Sequence, residues 1–240
     1  MRNMGLEDLL SEETNKIINQ SWNIREGRKV PTSEDIALAG GAVRLDATFL
    51  YADLSQSSYL ATEFQQRTAA KVIRAVLYNM SRIITSFSGT VTSFDGDRVM
   101  GIFIDNYKNT NGAKCALKMN YAVKNILNPK LTSHFQSLKR DGFDISHCVG
   151  VDTSPVLVVR AGQRGSNDLV WIGRAPNLAA KLSDIRESPY SSFISDTVYD
   201  NMNDSSKFGG DNNRNMWEKR SVDFRGKKQI VYRSNWTWTP

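Results

Sequence analysis

Cysteine and histidine are both scarce, with two of each in 240 residues. Cys115 and Cys148 have no CxxC spacing, which excludes a disulfide scaffold and a structural zinc site. A reducing, cytoplasmic setting is therefore expected. No apolar run reaches the ~20 residues needed to span a bilayer, so no membrane partner is expected. The opening stretch MRNMGLEDLLSEETNKIINQ is too acidic and polar for a secretory signal. Basic residues outnumber acidic ones 31 to 25, a net charge of +6, yet no Lys/Arg block concentrates that charge. The excess suits a polyanionic partner such as a nucleoside triphosphate. A nucleic-acid binder would be expected to show sheet aromatics in a recognition motif, and none is found.

The remaining composition is that of a globular chain, 40% hydrophobic and 23% charged. Leu6, Leu9, Leu10, Ile17 and Ile18 predict a short amphipathic helix over 6–22. A polar stretch broken by Pro31 and Gly40-Gly41 follows, so 1–43 is expected to be a helix and linker and 44–240 a catalytic domain. ATFLYADL (47–54) has the pattern of a buried strand ending in a carboxylate. Leu60, Phe64, Val72, Val76, Met80, Ile83 and Phe87 predict one long helix over 58–87. A hairpin is expected over 88–104 and a helix over 109–127. Residues 145–151 and 155–161 are expected as two strands joined by a short turn. A strand at 168–173, a helix at 175–185 and strands at 216–224 and 228–234 complete the order. This βαββαβ succession predicts an α+β domain, its helices covering a mainly antiparallel sheet.

Two carboxylates stand out. Asp53 closes the buried strand, where an unpaired charge is costly. Asp97 lies in TSFDGDRVMGIF (92–103). With Asp95 and Gly96 as turn residues, Phe94 would face Asp97 and Ser93 would face Arg98, with Asp97 and Arg98 on opposite faces. Should the strand and hairpin pair, Asp53 and Asp97 converge, and two carboxylates suit Mg²⁺ or Mn²⁺. The alternative for Asp97 is a solvated turn residue.

Four stretches, TFLYADLSQSS, GTVTSFDGDRVMGIF, HCVGVDTSPVLVV and VWIGRAPNLAAKL, resemble the class III nucleotide cyclase catalytic domain across about residues 44–234. The resemblance implies a ferredoxin-like βαββαβ homodimer and two divalent cations, Mn²⁺ or Mg²⁺. They would be held by Asp53, Asp97 and the backbone carbonyl of Leu54. It further implies that Asn177 orients the ribose and that Lys227 meets the triphosphate. Lys181 stands where the family has an arginine that steadies the transition state, and it supplies a point charge rather than a fork. Ser154 stands where a glycine is usual.

The positions that read adenine in adenylyl cyclases are Ser93 and Val170 here, and neither can make those contacts. Tyr51, where phenylalanine is usual, narrows the base pocket, unless it serves only as a core aromatic with its hydroxyl at the rim. Arg98 supplies only donors, which suit the carbonyls of a pyrimidine. This combination resembles the Pycsar antiphage pyrimidine cyclases. It implies conversion of UTP to 3′,5′-cyclic UMP as a second messenger of defence, sensed by a separate cyclic-nucleotide effector. A cytidylate cyclase, an ordinary adenylyl cyclase and a non-catalytic nucleotide-binding homologue are the alternatives. A hairpin serving metal on one face and base on the other implies active sites shared across a two-fold homodimer.

Overall fold

The computed structural model describes residues 5–240, so the first four residues of the expected 1–43 segment lie outside the described ones. In chain order the elements begin with α1 (Leu6–Ile18), β1 (Asn23–Glu26), β2 (Gly41–Ser55), α2 (Ser57–Glu63) and α3 (Gln66–Ser86). The hairpin β3 (Thr90–Asp95) and β4 (Arg98–Phe103) precedes α4 (Lys108–Tyr121), which continues as a π-helical stretch (Ala122–Leu127) into α5 (Asn128–His134) and α6 (Gln136–Asp141). Then come β5 (Ser146–Gln163), β6 (Ser166–Gly173), α7 (Arg174–Ser183), β7 (Ser192–Ser195), α8 (Asp196–Asn201) and α9 (Asp204–Lys207). Two short strands, β8 (Phe208–Gly209) and β9 (Arg214–Asn215), and the closing hairpin β10 (Glu218–Phe224) and β11 (Lys227–Ser234) end the chain.

Two compact units emerge. The smaller contains residues 5–45 with Val156–Ile172, and the larger contains Asp46–Pro155 with Gly173–Pro240. The expected boundary at 43/44 falls near this division, but the smaller unit also takes in the 156–172 hairpin. In the smaller unit β1 pairs in parallel with the start of β2, and Arg44 bonds Glu26 at 3.0 Å. The apolar side chains of α1 are exposed, and none of its residues is buried. No helix among the described residues is long and apolar enough to cross a membrane.

The larger unit carries the main sheet, in the order β10-β11-β7-β5-β2-β4-β3. The succession β2-α3-β3-β4-α4-β5, with strands placed β5-β2-β4-β3, is the ferredoxin-like arrangement. Four of the strand pairs, β2/β4, β3/β4, β7/β11 and β10/β11, are antiparallel. Alternation along β2 sends Leu50, Ala52 and Leu54 into the core against Val72, Val76, Met80 and Ile84 of α3 and Ala116 and Met119 of α4. Gly101 makes close packing possible there, because a Cβ would collide with Ile84.

Three expectations change. The helix over 58–87 is broken at Phe64, whose backbone is extended and whose ring packs on Tyr59 and Phe143, 6.1 and 5.4 Å between centroids. The two strands expected over 145–151 and 155–161 are one continuous strand, Ser146–Gln163, since Pro155 sits at an exposed position where a missing N–H does no harm. The hairpin turn consists of Gly96 and Asp97, so Asp95 faces Arg98, Phe94 faces Val99 and Ser93 faces Met100. Gly96 has φ +61°, the glycine-first pattern of a type II′ turn, and a bulge between Val91 and Ser93 absorbs the shift.

The helix α7 lies on β5 so closely that a Cβ on Gly150 would meet the Ala179 carbonyl, the Ser183 amide and Leu182. Gly150→Ala is therefore expected to destabilise the fold by about 3 kcal/mol, overpacking against backbone that cannot yield. Urea unfolding checks this, with the midpoint falling and the slope unchanged.

Candidate active site

Directly opposed residues on neighbouring strands share a face. Asp53, Arg98 and Asp95 thus form one row across β2, β4 and β3, and Tyr51, Met100 and Ser93 form the next. All six project from the sheet face opposite Leu50, Ala52 and Leu54, the face that the α3 and α4 packing leaves available for chemistry.

Asp53 is 7% exposed, and both its carboxylate oxygens are engaged. Arg98 donates from Nε to Oδ1 at 3.1 Å, and Arg186 donates from Nη2 to Oδ2. Arg98 also donates from Nη2 to Asp184, at the C-terminus of α7. Arg186 is fixed by donation from Nη1 to the carbonyls of Ser183 at 2.7 Å and Ile185 at 3.2 Å. Burial works against the charge on Arg98, but the Asp53 and Asp184 carboxylates outweigh it and hold the guanidinium above its ordinary pKa. Burial likewise raises the Tyr51 phenol, with Arg98 opposing, so this hydroxyl is neutral at working pH.

Arg98 was expected on the face away from the metal carboxylates, and the structure bonds it to one of them instead. The expected geometry failed because β2 pairs with β4 in a register that sets Arg98 directly opposite Asp53. Asp97 is half-buried in the turn, one residue beyond that pair, and has no ion-pair partner among the described residues. Leu54 has its side chain in the core.

The other predicted residues are on α7, β6 and β11. Asn177 and Lys181 occupy one exposed face of α7, opposite Leu178, Ala179 and Leu182, and neither bonds to Asp53. The Asn177 amide donates back to the Gly173 carbonyl at 2.8 Å. Lys181 borders a recess of about 440 Å³ that also contains Asp184, Arg220 and Asp223. The start of α7 is pinned by Arg174, whose Nη2 donates to Asp152 at 2.9 Å and to the Thr153 carbonyl at 3.0 Å. Ser154 accepts from the Ala175 amide at 3.0 Å, satisfying a first-turn N–H from the neighbouring strand. Lys227 begins β11 opposite Phe224 and is exposed. Val170 is exposed on β6 in the smaller unit.

Sequence reasoning missed Arg186 and Asp184. Their only sequence signal is the charged run SDIRE directly after the apolar spacing of α7. Arg186 also borders a cavity of about 570 Å³, with Ser55, Asn120, Lys124, His147 and Ser191 on its walls.

No cluster of three or more His, Cys, Asp or Glu able to hold a metal exists among the described residues. A pair of carboxylates is nonetheless the donor set Mg²⁺ uses when substrate phosphates complete its shell. The two guanidiniums on Asp53 mark a carboxylate that needs cationic compensation.

No family model matches the chain. Curated relatives do. A uridylate cyclase from Rhodovulum sp. (strain MB263) is 45% identical over 99% of both chains. Uridylate cyclases from Xanthomonas perforans and Burkholderia cepacia are 39% and 37% identical, each over 98% of this chain and 99% and 100% of their own. Among solved structures, the guanylyl cyclase Cya2 superposes with a TM-score of 0.66 at 19% identity, over 82% of this chain and 95% of its own. The adenylyl cyclase CyaB from P. aeruginosa gives 0.60 at 22%, over 80% and 95%. The fold is that of the class III adenylyl and guanylyl cyclases.

Burial in the cavity wall, reinforced by the charges of Lys124 and Arg186, pushes the pKa of His147 down to about 3. An unfolded histidine titrates near 6.5, so between those values the unfolded chain holds the extra proton and stability falls as pH falls. This group is expected to contribute a slope of about 1.4 kcal/mol per pH unit below pH 6. His147→Gln removes that contribution, which chemical denaturation at pH 4.5 and 7 measures.

Proposed function

The chain belongs to the uridylate cyclase family and is a nucleotide cyclase, and we propose that it converts UTP to 3′,5′-cyclic UMP and pyrophosphate. The observation that carries this reading is that Asp53, Arg98 and Tyr51 share one sheet face, with Asp97 at the adjoining turn. Asp53, Asp97 and the Leu54 carbonyl would hold the divalent cations, Mg²⁺ or Mn²⁺. Bound there, such ions lower the pKa of a ribose hydroxyl and neutralise phosphate charge. The chain's own groups provide the rest. Asn177 orients the ribose so that its 3′-oxygen lines up with the α-phosphorus. Lys181 places positive charge where the transition state gathers negative charge, and Lys227 receives the departing pyrophosphate.

Tyr51 limits the depth of the base pocket, and Ser93 leaves it without a contact that holds a purine. Arg98 carries N–H donors of the kind that would suit the pyrimidine carbonyls. Uracil presents a carbonyl at position 4 where cytosine carries an amino group, which favours UTP over CTP. Asn177 and Lys181 lie on an exposed face of α7 and make no bond to Asp53, which suits a two-fold homodimer whose sites each join metal carboxylates of one protomer to α7 of its partner. The product fits a second messenger in antiphage defence, detected by a separate cyclic-nucleotide effector.

Incubation with each of the four ribonucleoside triphosphates and Mn²⁺, followed by chromatography, is expected to yield cyclic UMP as the main product. Cyclic AMP alone would contradict the reading. Asp53→Asn is expected to lower kcat by ~100-fold or more. Mixing inactive Asp53→Asn with inactive Asn177→Ala chains should restore about a quarter of wild-type activity, because half the dimers are mixed and each holds one intact site. A mixture that stays inactive, with mixed dimers present, contradicts the shared site.

A further inference from the structure

The cavity beside Asp53 has the chemistry of an anion site. Lys124 and Arg186 are the cations on its walls, and Glu187 is the sole carboxylate, already bonded by Arg220 at 3.2 Å and by Arg233. Three buried polar atoms on side chains lining it lack hydrogen-bond partners: His147 Nε2, Ser191 Oγ and Asn120 Oδ1. Orphaned buried groups carry a free-energy cost that a ligand can relieve. Burial, with the charges of Lys124 and Arg186 beside it, keeps His147 neutral, so its Nε2 can carry a proton and donate, as can the Ser191 hydroxyl. Asn120 already donates from Nδ2 to the carbonyls of Asn235 and Trp236, which leaves its Oδ1 as an acceptor only. Two cations, two donors and one acceptor match hydrogen phosphate, an anion whose remaining O–H can reach an acceptor. Sulfate has no such proton.

None of the residues assigned to UTP or its metals lines this cavity. Arg186 joins the two places, since it borders the cavity and bonds Asp53.

We propose that this cavity binds a free phosphate group, as orthophosphate or on a small phosphorylated metabolite, and that its occupation draws Arg186 away from Asp53. The phosphate competes for the same guanidinium as the carboxylate, so binding there makes Asp53 available to a divalent cation. The coupling to the cation rests on the assignment of Asp53 as a metal ligand, whereas binding to the cavity does not.

Sodium phosphate titrated into the full chain, without nucleotide or divalent metal, tests the site by calorimetry and by the ring signals of the two histidines. The expected result is saturable binding that shifts the His147 signal and leaves His134 unmoved, with sulfate at least tenfold weaker. Lys124→Gln and Arg186→Gln should each weaken binding at least tenfold. Lys124→Gln should keep its basal UTP turnover. In the wild-type chain phosphate should lower the Mg²⁺ concentration needed for half-maximal turnover without competing with UTP, and Lys124→Gln should lose that response. Absence of binding, or binding by both variants as tight as that of the wild type, overturns the site. Phosphate that competes with UTP overturns it too, because the cavity would then hold the phosphate chain of the nucleotide. A chain that binds phosphate as expected but turns over no UTP refutes the proposed function and leaves the site standing.

Discussion

A single buried carboxylate organises this protein. Asp53 lies at the inner end of β2 with 7% of its surface exposed, and a lone charge there would be prohibitive. Two guanidiniums, from a β-hairpin and from the loop after α7, each take one of its oxygens. Removing one partner from such a cluster typically costs ~3–5 kcal/mol, because it leaves the others uncompensated. The arginines hold this part of the sheet in shape, and under the proposed function they would share their acceptor with a divalent cation.

Both arginines have partners besides Asp53. Arg98 also reaches Asp184 at the end of α7. Arg186 is anchored by the Ser183 and Ile185 carbonyls and borders a cavity with two further donors and an acceptor.

Much of this was legible in the sequence, for identifiable reasons. The alternation in ATFLYADL places Asp53 on the face opposite Leu50, Ala52 and Leu54, and the Asp-Gly pair marks the hairpin. The spacing of α7 puts Asn177 and Lys181 on one exposed face. Other features depend on physics that a local pattern does not carry. In DGD either Asp-Gly or Gly-Asp can form the turn, and Gly-Asp does, with a bulge at Val91/Ser93. The pairing of Arg98 with Asp53 comes from the register of β2 on β4, which no local pattern carries. Pro155 looks like a break, but its exposed position lets β5 run through. Phe64 breaks an apparently continuous helix because its ring packs on Tyr59 and Phe143. Arg186 is 133 positions from Asp53, a separation at which charge pairing is invisible without the fold.

The central claim is that the cation and the arginines share one acceptor, and the Nε–H resonance of Arg98 reports on it directly. Titrating Mg²⁺ into the full chain while following that signal is predicted to move it with the same saturation as turnover, and Asp53→Asn should abolish the change. Mg²⁺ that saturates turnover while the Arg98 signal stays fixed would contradict the account.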